Sequence, residues 1–339
     1  MKSEDIHKSI RQLIQKSSSM ETDIKINNLV INKDGFSNNI AMLTLIHSKN
    51  GENFSKDIVL KNFPTNVRND SGKKYFNKEL AILKNKAISS SINVPRVYFD
   101  DEENQIVLME KIEGLTLDKL YLMNPEKTVW AYRKFGETLA RIHSVDLDTV
   151  RWNFSDTDIW KEDYLKLYIN RLKNRVMEFE EPKYLQVLEN LYERFRGVKF
   201  NEVLNHGDYH FWNIIVDDDA SLYVLDWEKA RISDYRYDLA NTLVLGYSWF
   251  GVDFKEQMID AYEILTKKKI ERLDCFIALL SFDSFTKVVP LIQGGDDTHI
   301  RDRTFEWLKR RYELFVRYNG IRIKEAENFL ISKGLSLTI

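Results

Sequence analysis

The sequence predicts an α+β fold in two lobes, a small one built on an antiparallel sheet and a larger one that is mainly helical. Three observations lead there. A chain of 339 residues exceeds the usual size of one core, so two lobes with a cleft between them are expected. In the first third, apolar residues come in short strand-like runs separated by turn signals. From Thr116 onward they recur mainly at helical spacing.

The elements follow in order. Residues 4–17 read as a helix. Residues 24–31 alternate and stop at Asn32-Lys33-Asp34-Gly35; a second apolar run, 40–46, follows Phe36-Ser37-Asn38-Asn39, which makes a hairpin with a small polar tip. After a turn at Asn50-Gly51, the run 57–61 ends in Lys61. Residues 73–87 place Phe76, Leu80, Leu83 and Ala87 at helical spacing, with Glu79 off that stripe, where a charge is ordinarily solvated. Residues 93–98 enter a strand and 105–109 form another, ahead of Glu110-Lys111-Ile112-Glu113-Gly114. In the second lobe, 130–142, 160–176, 184–195 and long segments after Phe254 read as helices. Its strands are limited to 214–216 and 222–225, a hairpin around Asp217-Asp218-Asp219.

Composition excludes several functions. Lys and Arg total 50 and Asp and Glu total 52, so the net charge of -2 offers no broad basic field for a phosphate backbone, and nucleic acid is not the expected partner. The lone Cys275 forms no internal disulfide, which fits a reducing compartment. Residues 1–20 are polar and lack the apolar centre of a signal peptide. The apolar runs 239–252 and 275–282 are too short to span a bilayer. A soluble, cytoplasmic protein without a membrane partner is expected. Its oligomeric state is open.

One stretch carries chemistry: His206-Gly207-Asp208-Tyr209-His210-Phe211-Trp212-Asn213, followed by Leu225-Asp226-Trp227. Phosphoryl transfer is mostly positioning and charge neutralisation, and it calls for an Asp near the nucleophile and an Asn plus an Asp for Mg²⁺. Asn213 stands before the first strand of the hairpin and Asp226 after the second, so the fold brings them close. Hard oxygen ligands of this kind suit Mg²⁺ better than zinc.

With these residues the chain resembles the aminoglycoside phosphotransferase and choline kinase superfamily, the small-molecule relatives of protein kinases. The resemblance extends to Ser233-Asp234-Tyr235-Arg236-Tyr237-Asp238-Leu239-Ala240 and to Leu139-Ala140-Arg141-Ile142-His143-Ser144, and covers roughly residues 25–250. It implies a protein-kinase-like fold, with a nucleotide-binding lobe over residues 1–112. The catalytic loop, metal site and acceptor pocket then fall in 113–339. It implies that Asp208 takes the proton of the acceptor hydroxyl, that Asn213 and Asp226 hold Mg²⁺, and that Lys61, paired with Glu79, neutralises the nucleotide phosphates. Gly35 and Ser37 would lie over those phosphates, although a lone glycine also suits an ordinary turn. Backbone groups of Glu110 and Ile112 would meet the adenine edge, with Met109 against the base.

In the same reading His206 braces the loop and Asp238 ties it to the following helix, while Phe211 and Trp212 pack and His210 has no assigned role. Only about a dozen residues separate Asp226 from Asp238, with no Asp-Phe-Gly, which leaves no room for a peptide-docking segment. The implied activity is transfer of the γ-phosphate of ATP, or of GTP, to a hydroxyl of an aminoglycoside, amino alcohol or sugar. The alternative is a catalytically weak nucleotide-binding regulator. Asp156, Asp158, Glu162 and Asp163, with Trp152, Trp160, Tyr164 and Tyr168, would suit a cationic acceptor, or else form ordinary faces of amphipathic helices.

Overall fold

The computed structural model describes residues 24–32, 39–49, 52–63, 71–179, 181–292 and 304–338. The expected helix at 4–17, the hairpin tip carrying Gly35 and Ser37, and the turn at Asn50-Gly51 lie outside the described residues. The chain forms two compact units. The first comprises Met1–Leu120, Val145–Phe154 and Trp212–Ala230; the second comprises Tyr121–Ser144, Ser155–Phe211 and Arg231–Ile339.

The first unit is built on an antiparallel sheet of β1 (Ile24–Asn32), β2 (Asn39–Lys49), β3 (Glu52–Asn62), β4 (Val97–Asp101) and β5 (Ile106–Glu110), in the order β1-β2-β3-β5-β4. Because side chains alternate across a strand, Ala41, Leu43, Ile58, Leu60, Ile106 and Leu108 gather on one buried face. Lys61 falls on the other face, the one met by helix α1 (Ser71–Leu83). Phe76 of that helix meets Phe63 edge to face, with ring centroids 5.8 Å apart. The helix predicted to run continuously over 73–87 is broken. It ends at Leu83 because Asn85 is extended and its Oδ1 accepts the N–H groups of Ala87 and Ile88, capping a separate turn, Lys86–Ser89.

The same unit holds β6 (Leu115–Thr116), β8 (Ile214–Val216) and β9 (Leu222–Val224), joined in the order β6-β8-β9. The hairpin of β8 and β9 is closed by Asp217, whose Oδ1 accepts the N–H of Ser221 at 2.7 Å. Gly114 beside it has φ 143°, and a Cβ there would stand 2.2 Å from the Val216 carbonyl oxygen, so no larger residue fits.

The second unit is mainly helical. Its long helices are α2 (Val129–His143), α3 (Glu162–Val176), α4 (Lys183–Arg194), α5 (Tyr235–Phe250), α6 (Lys255–Thr266), α7 (Leu273–Thr286), α8 (Thr304–Asn319) and α9 (Lys324–Ser332). It also contains an antiparallel pair, β7 (Glu202–Asn205) with β10 (Arg231–Asp234), which corrects the expectation that one hairpin supplies all the strands after Thr116. Four-residue runs that include Glu202, Asn205, Arg231 and Asp234 are too short and too polar to display a period.

An aromatic core fixes the segment after β7. Tyr209 stacks on Phe135 at 4.2 Å, and Phe211 stacks on Tyr132 and Phe250 at 5.9 and 5.1 Å. Each such buried ring contributes about 1.5–3 kcal/mol through burial. Helix α2 approaches α6 closely at Gly136, where a Cβ would lie 2.3 Å from the Met258 carbonyl oxygen.

Candidate functional site

In the first unit, sheet and helix converge on one ammonium group. Lys61 Nζ lies 2.5 Å from Glu79 Oε2 and 2.7 Å from Asp226 Oδ1. Lys61 and Glu79 are 5% and 2% exposed, which removes the reading of Glu79 as a solvated charge. Burial alone would lower the Lys61 pKa, but the charges and hydrogen bonds of Glu79 and Asp226 outweigh it and hold the ammonium protonated. Burial pushes the Glu79 carboxyl up to about 7, opposed by Lys61 and assisted by the charges of Asp226 and Glu228.

Glu228 is the residue that sequence reasoning missed. Carboxylate oxygens of Glu79, Asp226 and Glu228 lie within 4.8 Å of one another, and Glu228 is 3% exposed. Carboxylate oxygens clustered in this way suit a hard cation such as Mg²⁺. The backbone of Asn213 runs beside that of Asp226, because the Asn213 carbonyl accepts the N–H of Leu225, the residue before Asp226, at 2.9 Å. Asp226 itself has φ 64°, a left-handed conformation uncommon outside glycine, as found where a functional group must be re-aimed.

The second unit holds the loop that follows β7. The N–H groups of His206 and Gly207 donate to the two carboxylate oxygens of Asp238 at 2.6 and 2.8 Å. Asp238 is 1% exposed and sits in the first turn of α5. Burial alone would raise its pKa, but the hydrogen bond from His143 and the charges of His143, Arg231 and His206 hold it below the usual carboxylate range. His143 Nε2 is 3.4 Å from Asp238 Oδ2, and its Nδ1 is 2.8 Å from the Tyr262 hydroxyl.

The buried His206 ring accepts the Asp208 N–H through Nδ1 at 3.2 Å, a bracing contact. Thr242 donates to the Tyr209 carbonyl at 2.7 Å, and the Tyr209 hydroxyl donates to the Phe135 carbonyl at 2.9 Å. The backbone on both sides of Asp208 is thereby fixed. Its carboxylate remains 18% exposed, with Oδ1 3.5 Å from His210 Nε2. A carboxylate so held can accept a proton from a hydroxyl placed against it.

The remaining expected positions are placed as follows. Met109 is buried in β5 opposite Val59 and Val97. The Glu110 N–H is spent on the Arg96 carbonyl at 2.8 Å, and Ile112 lies two residues beyond the strand. Phe211 is 1% exposed, as expected of a core residue, whereas Trp212 is 39% exposed. The aromatic face proposed for a cationic acceptor is occupied by the protein itself: the Arg231 guanidinium lies 3.8 Å over Trp160, which stacks on Tyr164 at 4.0 Å. Tyr168 is buried and donates to Asp283 at 2.9 Å, and Asp158 accepts the Ser155 hydroxyl at 2.6 Å. Trp160, Tyr164 and Tyr168 are thus packed residues of the helical unit.

Residues 43–274 match the phosphotransferase enzyme family (APH), more than half of the chain, and the chain belongs to that family. Over 174 residues it is 27% identical to the probable aminoglycoside 3'-phosphotransferase of Lactococcus lactis subsp. lactis (strain IL1403), which covers 49% of this chain and 63% of that relative. The fold is similar to that of aminoglycoside 2'-phosphotransferase-IIIa, solved as a GDP complex, with a TM-score of 0.60 at 16% identity over 93% of this chain and 98% of that one. It is also similar to choline kinase LicA from Streptococcus pneumoniae, with a TM-score of 0.55 at 18% identity over 93% and 100% of the two chains. These likenesses establish the protein-kinase-like α+β fold. Among the described residues no helix is long and apolar enough to cross a membrane.

Proposed function

We propose that the protein is an ATP-dependent kinase of a small molecule, transferring the γ-phosphoryl group to a hydroxyl of an aminoglycoside, amino alcohol or sugar. The observation that carries this reading is the buried Lys61, held between Glu79 and Asp226. An ammonium fixed by two carboxylates is suited to neutralising nucleotide phosphates. Gly35 and Ser37 would cover those phosphates, and Met109 with the backbone of Glu110 and Ile112 would take the base, so nucleotide binding would belong to residues 1–112. The catalytic loop, the metal ligands and the acceptor pocket would belong to 113–339.

Asp208 is the proposed base. It accepts the hydroxyl proton as the bond from acceptor oxygen to the γ-phosphorus forms and the bond to the β-bridging oxygen breaks, with ADP leaving. Asn213 and Asp226 would hold Mg²⁺, with Glu228 and Glu79 close by; the ion would neutralise charge on the phosphate oxygens. His206 and Asp238 position Asp208 through the loop backbone. A binding-only regulator has no use for a carboxylate held in this way, which favours catalysis. GTP stays open as donor, because a protein of similar fold was solved with GDP. A cytoplasmic location is proposed on the buried, unpaired thiol of Cys275.

The test is Mg²⁺-dependent ADP or GDP release measured against aminoglycosides, amino alcohols and sugars. Stimulation by one class, with either nucleotide, names the acceptor class and the donor. Release that no member of any class stimulates counts against the proposal.

A further inference from the structure

The helical unit contains a cavity of about 970 Å³ that takes no part in the proposed reaction. Residues 197–203 form one side, residues 265–266 and 268–272 another, and His143, Ser144, Tyr235, Arg236 and Tyr262 complete it. Its volume is in the range of sites that enclose small metabolites.

The cavity is a built feature. Arg236, 3% exposed, donates to the Lys199 carbonyl at 2.6 Å and to the Glu271 carbonyl at 3.0 Å, so one buried guanidinium ties both sides together. Asp234 neutralises that guanidinium at 2.7 Å. The buried pair His143 and Tyr262, joined at 2.8 Å, supplies polar aromatic surface to the interior.

Its charge is lopsided. Lys199, Arg236, Lys268, Lys269 and Arg272 line it, against Glu202 and Glu271. Arg236 is answered by Asp234, Lys269 by Glu263, and Arg272 donates to the Arg194 carbonyl at 2.7 Å. Lys199 and Lys268 have no carboxylate within 4.0 Å among the described residues. Helix α7 starts beside the cavity, directly after Arg272, with no side chain capping its N-terminus; Asp274 in its first turn is paired with Lys255 at 2.9 Å.

We propose that this cavity is a second ligand site, taking a small dianion, either a phosphate or a dicarboxylate, between Lys199 and Lys268. The proposal is independent of the phosphotransferase reading. It is tested by titration calorimetry of inorganic phosphate and of malonate into the full chain and into the doubly substituted Lys199→Glu/Lys268→Glu chain. Both lysines are exposed, so the variant keeps the fold, which circular dichroism checks.

Saturable binding to the wild type that weakens roughly tenfold or more in the variant is expected. The tighter of the two probes then distinguishes a phosphate from a dicarboxylate ligand. No saturable binding of either probe up to about 10 mM overturns the proposal, as does binding that the double substitution leaves unchanged.

Discussion

Asp238 offers a quantitative handle on the loop that carries Asp208. Its two oxygens accept the His206 and Gly207 N–H groups at 2.6 and 2.8 Å, wholly out of solvent. Hydrogen bonds to a charged group contribute about 1.5–3 kcal/mol each, so Asp238→Ala, which strands both donors, should destabilise the helical unit by roughly 3–6 kcal/mol. Asp238→Asn keeps one accepting oxygen and turns an amide NH₂ toward the other donor, so roughly half of that loss is expected. Urea unfolding followed by circular dichroism reads the difference. Hydrogen exchange at His206 and Gly207 should accelerate in both variants.

The same carboxyl has its pKa depressed by folding, so its contribution is present above about pH 3.9 and is lost as pH falls through the lower folded value. The acid limb of the wild-type stability curve should therefore flatten in Asp238→Asn. An Asp238→Ala variant within about 1 kcal/mol of the wild type would refute the scaffold role, since even one stranded buried donor costs about that much.

Other consequences are testable together. Folding raises the Glu79 pKa from 4.5 to about 7, so the folded protein binds more protons than the unfolded chain between those values. Stability should fall as pH rises through that window, and Glu79→Gln should remove the slope; an unchanged slope contradicts the assignment. Gly136→Ala places a Cβ 2.3 Å from the Met258 carbonyl oxygen, so α2 and α6 must part, at about 1–3 kcal/mol in urea unfolding. A neutral substitution would mean that the two helices are not held at that distance.

The placement of the loop residues was legible because it is local. Asp208, Asn213 and Asp226 are read from one motif and one hairpin, whose register follows from alternating residues and a turn at Asp217. Lys61 was legible as the polar end of an apolar strand. For Glu79 the helical spacing alone reads as a solvated charge; its pairing with Lys61 was implied by the family resemblance, and the structure holds the two 2.5 Å apart. Glu228 escaped because a buried carboxylate is disfavoured unless compensated, and the carboxylate of Glu79 that it lies beside comes from a helix far away in sequence. Arg231 over Trp160 and the pairing of β7 with β10 likewise depend on segments far apart in the chain. Asn85 shows the opposite case, a local cap that overrides a helical apolar pattern extending past Leu83.

The most direct measurement of the proposed chemistry is a single-turnover transfer of labelled γ-phosphoryl from nucleotide to an accepted hydroxyl compound, in the wild type and in Asp208→Asn, with nucleotide affinity determined alongside. Transfer that falls by at least about a hundredfold while nucleotide affinity stays within about threefold is the predicted result, as expected for loss of a general base. Full transfer by Asp208→Asn would contradict the assignment of Asp208.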